Sequence, residues 1–124
     1  WLKSGGYLVI EPTEALTVID VNTGKFDGHN ADREKTFLKT NLEACAEIAR
    51  QLILRNISGI IIIDFINLGE KDNRNIIQDT MKKYLAADPV KAVFVEFTGL
   101  DLMEITRKKI KKPLHEIIKG ERNV

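Results

Sequence analysis

Two apolar segments, each ending on an aspartate, constrain the fold of this chain more than any other feature. They are Ala15–Asp20 (ALTVID) and Gly59–Asp64 (GIIIID), and their β-branched residues are typical of buried strands. A long amphipathic stretch lies between them. Because a strand, a crossover helix and a second strand normally form a right-handed unit with parallel strands, both aspartates are predicted at the carboxyl edge of one sheet. Ligands of open α/β sheets bind at that edge.

The remaining periodicity predicts an α/β fold with a mixed, mainly parallel central sheet of about five strands, helices packed on it and an N-terminal hairpin. The predicted strands are Tyr7–Ile10, which Pro12 ends, Ala15–Val21, Gly59–Asp64, Ala92–Phe97 and an antiparallel Leu102–Thr106. The predicted helices are Arg33–Arg55 with Asp32 as its N-cap, Asp72–Ala86 and a short Leu114–Lys119. In the second helix we expect Ile76, Ile77, Met81, Tyr84 and Leu85 to face the sheet.

Composition and charge are those of an ordinary globular protein. Of the 124 residues, 44% are hydrophobic and 30% charged, which excludes disordered and fibrous classes and allows one domain with a substantial core. The net charge of +1 gives no global basic signature, so any nucleic-acid contact must depend on a local patch. The single cysteine, Cys45, excludes an internal disulfide and lies on the apolar stripe of the first helix.

We expect no membrane span, because the longest apolar run is far too short to cross a bilayer. The N-terminal residues also lack the pattern of a signal peptide. A cytoplasmic protein is therefore expected. A start at Trp1 rather than Met is expected of an excised fragment, and equally of a processed chain or of one whose first residues are not included.

Asp20 and Asn22 are two residues apart on one predicted strand, so their side chains leave the same face. With Asp64 they would bring two carboxylates and one amide to one point. Mg²⁺ and Mn²⁺ prefer this donor set, and two like charges held together need a cation or a shared proton. We therefore expect a divalent metal site at Asp20 and Asp64. The alternative is that both aspartates only cap turns.

The basic run after the last predicted strand offers a second kind of site. Arg107, Lys108 and Lys109 open this run, and alternate members could follow a row of phosphates. A solvated charged face is the alternative. Lys25 is a weaker phosphate candidate, because its loop lacks the Gly-x-x-x-x-Gly-Lys-Ser/Thr pattern.

Several segments resemble the catalytic segment of the bacterial ribonuclease E/G family, in the same order and nearly end to end. They are Ser4–Leu16, Ile19–Asn22, Thr40–Ala44, Glu47–Leu52 and Gly59–Ile66. The resemblance implies that residues 1–124 form a single catalytic subdomain of deoxyribonuclease-I-like type within a longer enzyme. At two positions near the end of the chain the residues depart from the family pattern. Gly99 and Asp101 occupy places where family members usually carry a basic residue and a glycine.

The resemblance also implies an activity. Family members are magnesium-dependent endoribonucleases of RNA processing and decay, which hydrolyse single-stranded RNA and leave a 5′-phosphate on the downstream product. Asp20 and Asp64 would hold Mg²⁺, for which Mn²⁺ would substitute, and Asn22 would orient Asp20 or bond the scissile phosphate. The longer parent would be a homo-oligomer assembled through a zinc link that this chain lacks, and the chain alone would be weakly active or inactive.

Two other interpretations stay open at this point. A receiver-like α/β binding module also clusters acidic residues at strand ends, but its acidic pair would lie at the end of the first strand. A metal nuclease of ribonuclease-H-like type would need a third carboxylate. Glu96 or Glu104 would have to supply it, although a solvated face is the expected place for both.

Overall fold

The computed structural model describes residues 1–24 and 30–110, apart from the side chains of residues 30–32. Its strands and helices, in chain order, are β1 (Tyr7–Pro12), β2 (Leu16–Asn22), α1 (Asn30–Leu54), β3 (Gly59–Asp64), α2 (Lys71–Ala86), β4 (Ala92–Phe97) and β5 (Met103–Arg107). The short helix predicted over Leu114–Lys119 lies outside the described residues. Within them, no helix is long and apolar enough to cross a membrane.

The five strands form one sheet in the order β1-β2-β3-β5-β4. The predicted mixed α/β architecture and the N-terminal hairpin are confirmed, and β2 and β3 pair in parallel as neighbours. The sheet is mainly antiparallel rather than mainly parallel, because the other three pairings are antiparallel. The reason is the placement of β5: a tight turn reverses the chain after β4, and β5 inserts between β3 and β4. Consequently β2, β3 and β4 run in the same direction without all being neighbours.

Both helices contribute to a core that covers one face of the sheet. Along β2 and β3, alternate residues such as Ile19, Ile61 and Ile63 are fully buried. They join a cluster with α1 side chains (Ala44, Cys45, Ile48, Leu52), α2 side chains (Ile77, Met81, Leu85) and β5 side chains (Met103, Ile105). Cys45 is thus a core residue, and burial raises the pKa of its thiol to about 12.

The opposite face of the sheet, which we call the open face, is not covered by either helix. Val9, Val18, Ile60 and Val93 lie on this face and are 36–41% exposed. Register places the residues of neighbouring strands side by side here: Val18 pairs with Ile62, and Ile60 with Thr106. The polar side chains at the ends of β2 and β3 therefore project from an apolar, accessible surface.

Some predicted boundaries and burials are corrected. The first helix begins at Asn30, so Asp32 lies inside it rather than at its N-cap, since neither Asn30 nor Ala31 prevents helix formation. Pro12 belongs to β1 rather than ending it, because an edge strand tolerates a residue without an N–H group. Ile76 and Tyr84 are 43% and 38% exposed, since they border the buried stripe instead of facing the sheet.

Candidate metal centre

Asp20 and Asp64 are direct partners in the parallel pairing of β2 and β3. Neighbouring strands are about 4.8 Å apart, so the two carboxylates emerge side by side. Their neighbours Ile19 and Ile63 point into the core, which directs both aspartates to the open face. Each apolar segment stays paired with the other strand as far as the aspartate at its end. The sequence itself therefore brings the two carboxylates together.

Asn22 lies on the same face of β2 as Asp20, two residues further along the strand, opposite Tyr7 of β1. Its carboxamide extends the row of oxygen donors that begins with the carboxylates of Asp20 and Asp64. Among the described residues, neither carboxylate takes part in a salt bridge or hydrogen bond. The described part of the chain also contains no group of three His, Cys, Asp or Glu side chains placed to hold a metal ion together.

The like charges affect each other. Partial burial raises the pKa of Asp64 above its usual value, and the negative charge of Asp20 raises it further. A carboxyl group in this position is stabilised by a proton or by a nearby cation, because either removes the repulsion. The edge of the sheet therefore favours a bound positive charge.

Glu96 and Glu104 are also on the open face, as direct partners across β4 and β5. The face of Glu96 depends on a bulge between Phe94 and Glu96, which leaves Val95 as an extra, exposed residue. Glu104 lies beside Ile62, so it is offset along β3 from Asp64. The third carboxylate of a ribonuclease-H-like site therefore does not join Asp20 and Asp64 in the described structure.

The predicted phosphate-binding residues do not lie beside the aspartates. Arg107 pairs with Gly59 at the start of β3, five residues before Asp64 and about 17 Å away along the strand. Lys108 and Lys109 follow it, have exposed side chains and line an open groove of about 560 Å³ together with Lys91. Lys25 lies outside the described residues.

Arg107 must be removed from the set of phosphate candidates, because its side chain is only 2% exposed and all three guanidinium nitrogens donate hydrogen bonds within the protein. Nε and Nη2 donate to the two carboxylate oxygens of Asp88 at 2.8 and 3.1 Å. Nη1 donates to the side chain of Asn56 and to the carbonyl of Ile57. The sequence run suggested a solvated basic patch, but the first member of that run faces the core side of β5.

Two polar residues of α1 were not identified from the residue pattern. Thr40 and Asn41 are each 2% exposed although they lie beside the apolar stripe. The sequence does contain a signal for Asn41: it is a polar residue four positions before Cys45, so it lies on the helix face that packs on the sheet. The side chain of Asn41 makes two hydrogen bonds to Ile66, just beyond Asp64.

The turn between β4 and β5 carries the departure noted from the sequence. Asp101 has a positive φ of 61°, a backbone conformation that glycine adopts without strain. Its carboxylate accepts a hydrogen bond from Arg74 of α2, whose guanidinium group also lies over the ring of Phe97. This ion pair occupies the same edge of the sheet as Asp20 and Asp64.

The sequence profile described as the Ribonuclease E/G family matches residues 1–110, which include every described strand and both helices. The chain belongs to the ribonuclease E/G family. Ribonuclease G of Escherichia coli (strain K12) is 45% identical over 120 residues, and Ribonuclease G of Haemophilus influenzae is 47% identical over 120 residues. Ribonuclease E of Synechocystis is 48% identical over 116 residues.

These alignments cover nearly all of this family member but a small part of its relatives. They include 97% of the chain for the two ribonuclease G proteins and 94% for the ribonuclease E. The same alignments include 24% of each ribonuclease G and 17% of the ribonuclease E. The chain thus spans about a quarter or less of the length of these curated relatives.

Proposed function

We propose that this chain forms the metal-binding, catalytic part of an endoribonuclease that uses Mg²⁺ to hydrolyse single-stranded RNA. The downstream product would carry a 5′-phosphate, and the setting would be RNA processing and decay in the cytoplasm. The observation that carries the proposal is the direct pairing of Asp20 with Asp64 at the open edge of a parallel strand pair. Membership of the ribonuclease E/G family supports the choice of RNA as the substrate.

The residues present fit a divalent cation. Asp20 and Asp64 offer hard, anionic oxygens on one accessible face, and no described cationic side chain neutralises them. Because two carboxylates meet there among the described residues, most of the remaining coordination positions would be filled by water or by phosphate oxygens. That is the usual coordination of Mg²⁺, which keeps several waters and binds few protein ligands. Mn²⁺ accepts the same donors.

Each side chain has a distinct task in this proposal. Asp20 and Asp64 would hold Mg²⁺, which supplies a bound water of lowered pKa and positive charge beside the scissile phosphate. Asn22 would donate a hydrogen bond from its amide to a phosphate oxygen or to Asp20 and so orient the reacting group. The exposed Lys108 and Lys109, at the far end of the sheet, would contact the RNA backbone away from the reacting phosphate.

The proposal is tested by replacing the matching segment of Escherichia coli ribonuclease G with this chain. Cleavage of a 5′-labelled single-stranded RNA is then measured for the chimera and for its Asp20→Asn and Asp64→Asn variants. We expect each substitution to lower the rate roughly a thousandfold or more, since the metal contributes several kcal/mol of transition-state stabilisation. The folded fraction should stay unchanged, because both side chains are on the open face.

Glu96→Gln is the matched control for this experiment, since it removes a carboxylate from the same face without touching the pair. It should leave cleavage within a fewfold of the unaltered chimera. Loss of cleavage in Glu96→Gln or Glu104→Gln as large as in Asp20→Asn would instead support a ribonuclease-H-like set of carboxylates. Full activity of Asp20→Asn and Asp64→Asn would refute the proposal.

A further inference from the structure

The buried side chain of Asn41 replaces a missing strand partner. Its Nδ2 donates to the carbonyl of Ile66 at 2.8 Å, and its Oδ1 accepts from the Ile66 N–H at 3.0 Å. A neighbouring backbone would offer the same donor and acceptor. Asn41 lies in α1, 25 residues earlier in the chain, so this pair of bonds connects the helix directly to the segment that follows β3.

That segment needs an anchor because the sheet stops there. The Asp20–Asp64 pair is the last of the register between β2 and β3, and the chain leaves the sheet after it. Asn67, the residue after Ile66, has a positive φ of 42°, so the chain turns sharply at this point. Phe65 is buried in the core and Ile66 is bonded to Asn41, which restricts the backbone on the carboxyl side of Asp64.

The same turn of α1 also holds the chain behind Asn22. Thr40 shares a hydrogen bond of 3.0 Å with Ser4, and Glu43 accepts one from the Ser4 N–H. Gly6 packs closely between β2 and α1, with no space for a side chain. A Cβ atom there would lie 2.6 Å from the Asn22 carbonyl and 2.8 Å from the Thr40 methyl. Neighbouring residues of one helix thus contact the chain beyond Asp64 and the chain that supports Asn22.

We propose that Asn41 is a positioning residue that holds Asp64 at the height of Asp20, so that both carboxylates can bind one cation. The inference depends on the proposed metal site and adds the residue that sets its geometry. Metal ligands must be held to within about 0.5 Å, and residues that orient ligands commonly change metal affinity roughly 10- to 100-fold when they are replaced. Asn41 touches neither metal nor RNA in this account.

The test measures Mn²⁺ binding to this chain by electron paramagnetic resonance, without RNA. Asn41→Leu keeps a similar side-chain volume but removes both bonds to Ile66, and Asn41→Ala removes them with the volume. We expect both variants to bind Mn²⁺ roughly 10- to 100-fold more weakly than the unaltered chain. The control is Asp88→Asn, which weakens a buried ion pair at the opposite edge and should melt at a lower temperature with unchanged Mn²⁺ affinity.

The outcomes separate this inference from the proposed function. If the unaltered chain binds no Mn²⁺, the metal site itself fails. If it binds Mn²⁺ and the Asn41 variants bind equally well, Asn41 has only a structural role. Equal weakening in Asp88→Asn would also overturn the inference, since it would show that any loss of stability lowers metal affinity.

A second measurement needs no variant and covers the case in which Asn41 variants do not fold. Because coupling is reciprocal, Mg²⁺ bound by Asp64 should slow hydrogen exchange of the Ile66 amide. The amide of Lys108, which bonds to the Lys91 carbonyl at the opposite edge, should exchange at an unchanged rate. An Ile66 amide that exchanges equally fast with and without saturating Mg²⁺ would contradict the inference.

Discussion

The two edges of the sheet carry charged side chains in opposite arrangements. At the carboxyl edge of β2 and β3, Asp20 and Asp64 are like charges side by side on an open face. At the other edge, Arg107 and Asp88 are opposite charges, each 2% exposed, in a bidentate pair. The first arrangement raises the free energy of the isolated chain unless a cation binds, whereas the second leaves no charge without a partner. This contrast supports the proposed cation site at the first edge and identifies Arg107–Asp88 as a structural ion pair at the other.

The pKa shifts at the two edges have opposite directions, as the opposite charge arrangements predict. Burial alone would raise the pKa of Asp88, but hydrogen bonds from Arg107 and from the Val90 N–H, together with the charge of Arg107, hold it below its usual value. Burial and the charge of Asp20 raise the pKa of Asp64. The sign of each shift follows from the partner that the sheet places beside the carboxyl group.

The largest stability effect should come from breaking the charge pair that the fold needs. Arg107→Ala leaves the Asp88 carboxylate buried without its partner and removes the donors to Asn56 and Ile57. We expect the free energy of unfolding, measured in urea, to fall by about 3–5 kcal/mol. The neighbouring Lys108→Ala, with an exposed side chain, should change it by less than about 0.5 kcal/mol.

A loss of unfolding free energy in Arg107→Ala no larger than that in Lys108→Ala would contradict a structural role of the Arg107–Asp88 pair. Where Arg107→Ala is too unstable to measure, the double substitution Arg107→Met with Asp88→Leu sharpens the result. Replacing both charges by apolar side chains should restore much of the stability. No unpaired charge is then buried, and a buried ion pair adds little net stability compared with apolar residues of similar size.

A smaller effect, of opposite sign at the two edges, should appear in the pH dependence of stability. The pKa of Asp88 is lowered by folding, so its contribution is present above the unfolded value of 3.8 and is lost as pH falls through the folded pKa. The pKa of Asp64 is raised by folding, so its contribution is present below the unfolded value of 3.8 and is lost as pH rises through the folded pKa.

Urea unfolding of the metal-free chain at a series of pH values tests these signs. Near neutral pH, Asp88→Asn should be less stable than the unaltered chain. This difference in stability should shrink once the pH falls below the pKa that the carboxyl group has in the unfolded chain. Asp64→Asn and Asp20→Asn should be more stable near neutral pH by at most about 1 kcal/mol, since Asp64 is exposed and solvent screens the repulsion. A loss of stability in both variants would contradict the account of the open edge.

The local pattern predicted the carboxyl edge well, since it depends on short segments and a general rule. Apolar runs that end on Asp20 and Asp64, separated by a helix, are sufficient to predict parallel neighbours. No local sequence pattern predicts that β5 inserts between β3 and β4, because its pairing with β3 depends on tertiary contacts between segments far apart in the chain. The mainly antiparallel sheet was therefore missed, although each strand was located.

The opposite edge was misjudged because burial of a charge is a property of tertiary contacts. Arg107 opens a basic run and looks like a surface residue, yet its partners Asp88 and Asn56 lie 19 and 51 residues earlier in the chain. The buried hydrogen bonds of Asn41 were not predicted for the same reason, since its partner Ile66 is 25 residues away. The roles of these polar residues become visible only when the segments that they join are placed together.

The proposed metal site is tested most directly by a crystal of this chain that is soaked in Mn²⁺ and measured for anomalous scattering. The expected result is one strong peak between the carboxylates of Asp20 and Asp64, on the open face of the sheet, and its disappearance in Asp20→Asn. A well-ordered pair of carboxylates without a peak at saturating Mn²⁺, or a peak only at Glu96 and Glu104, would contradict it.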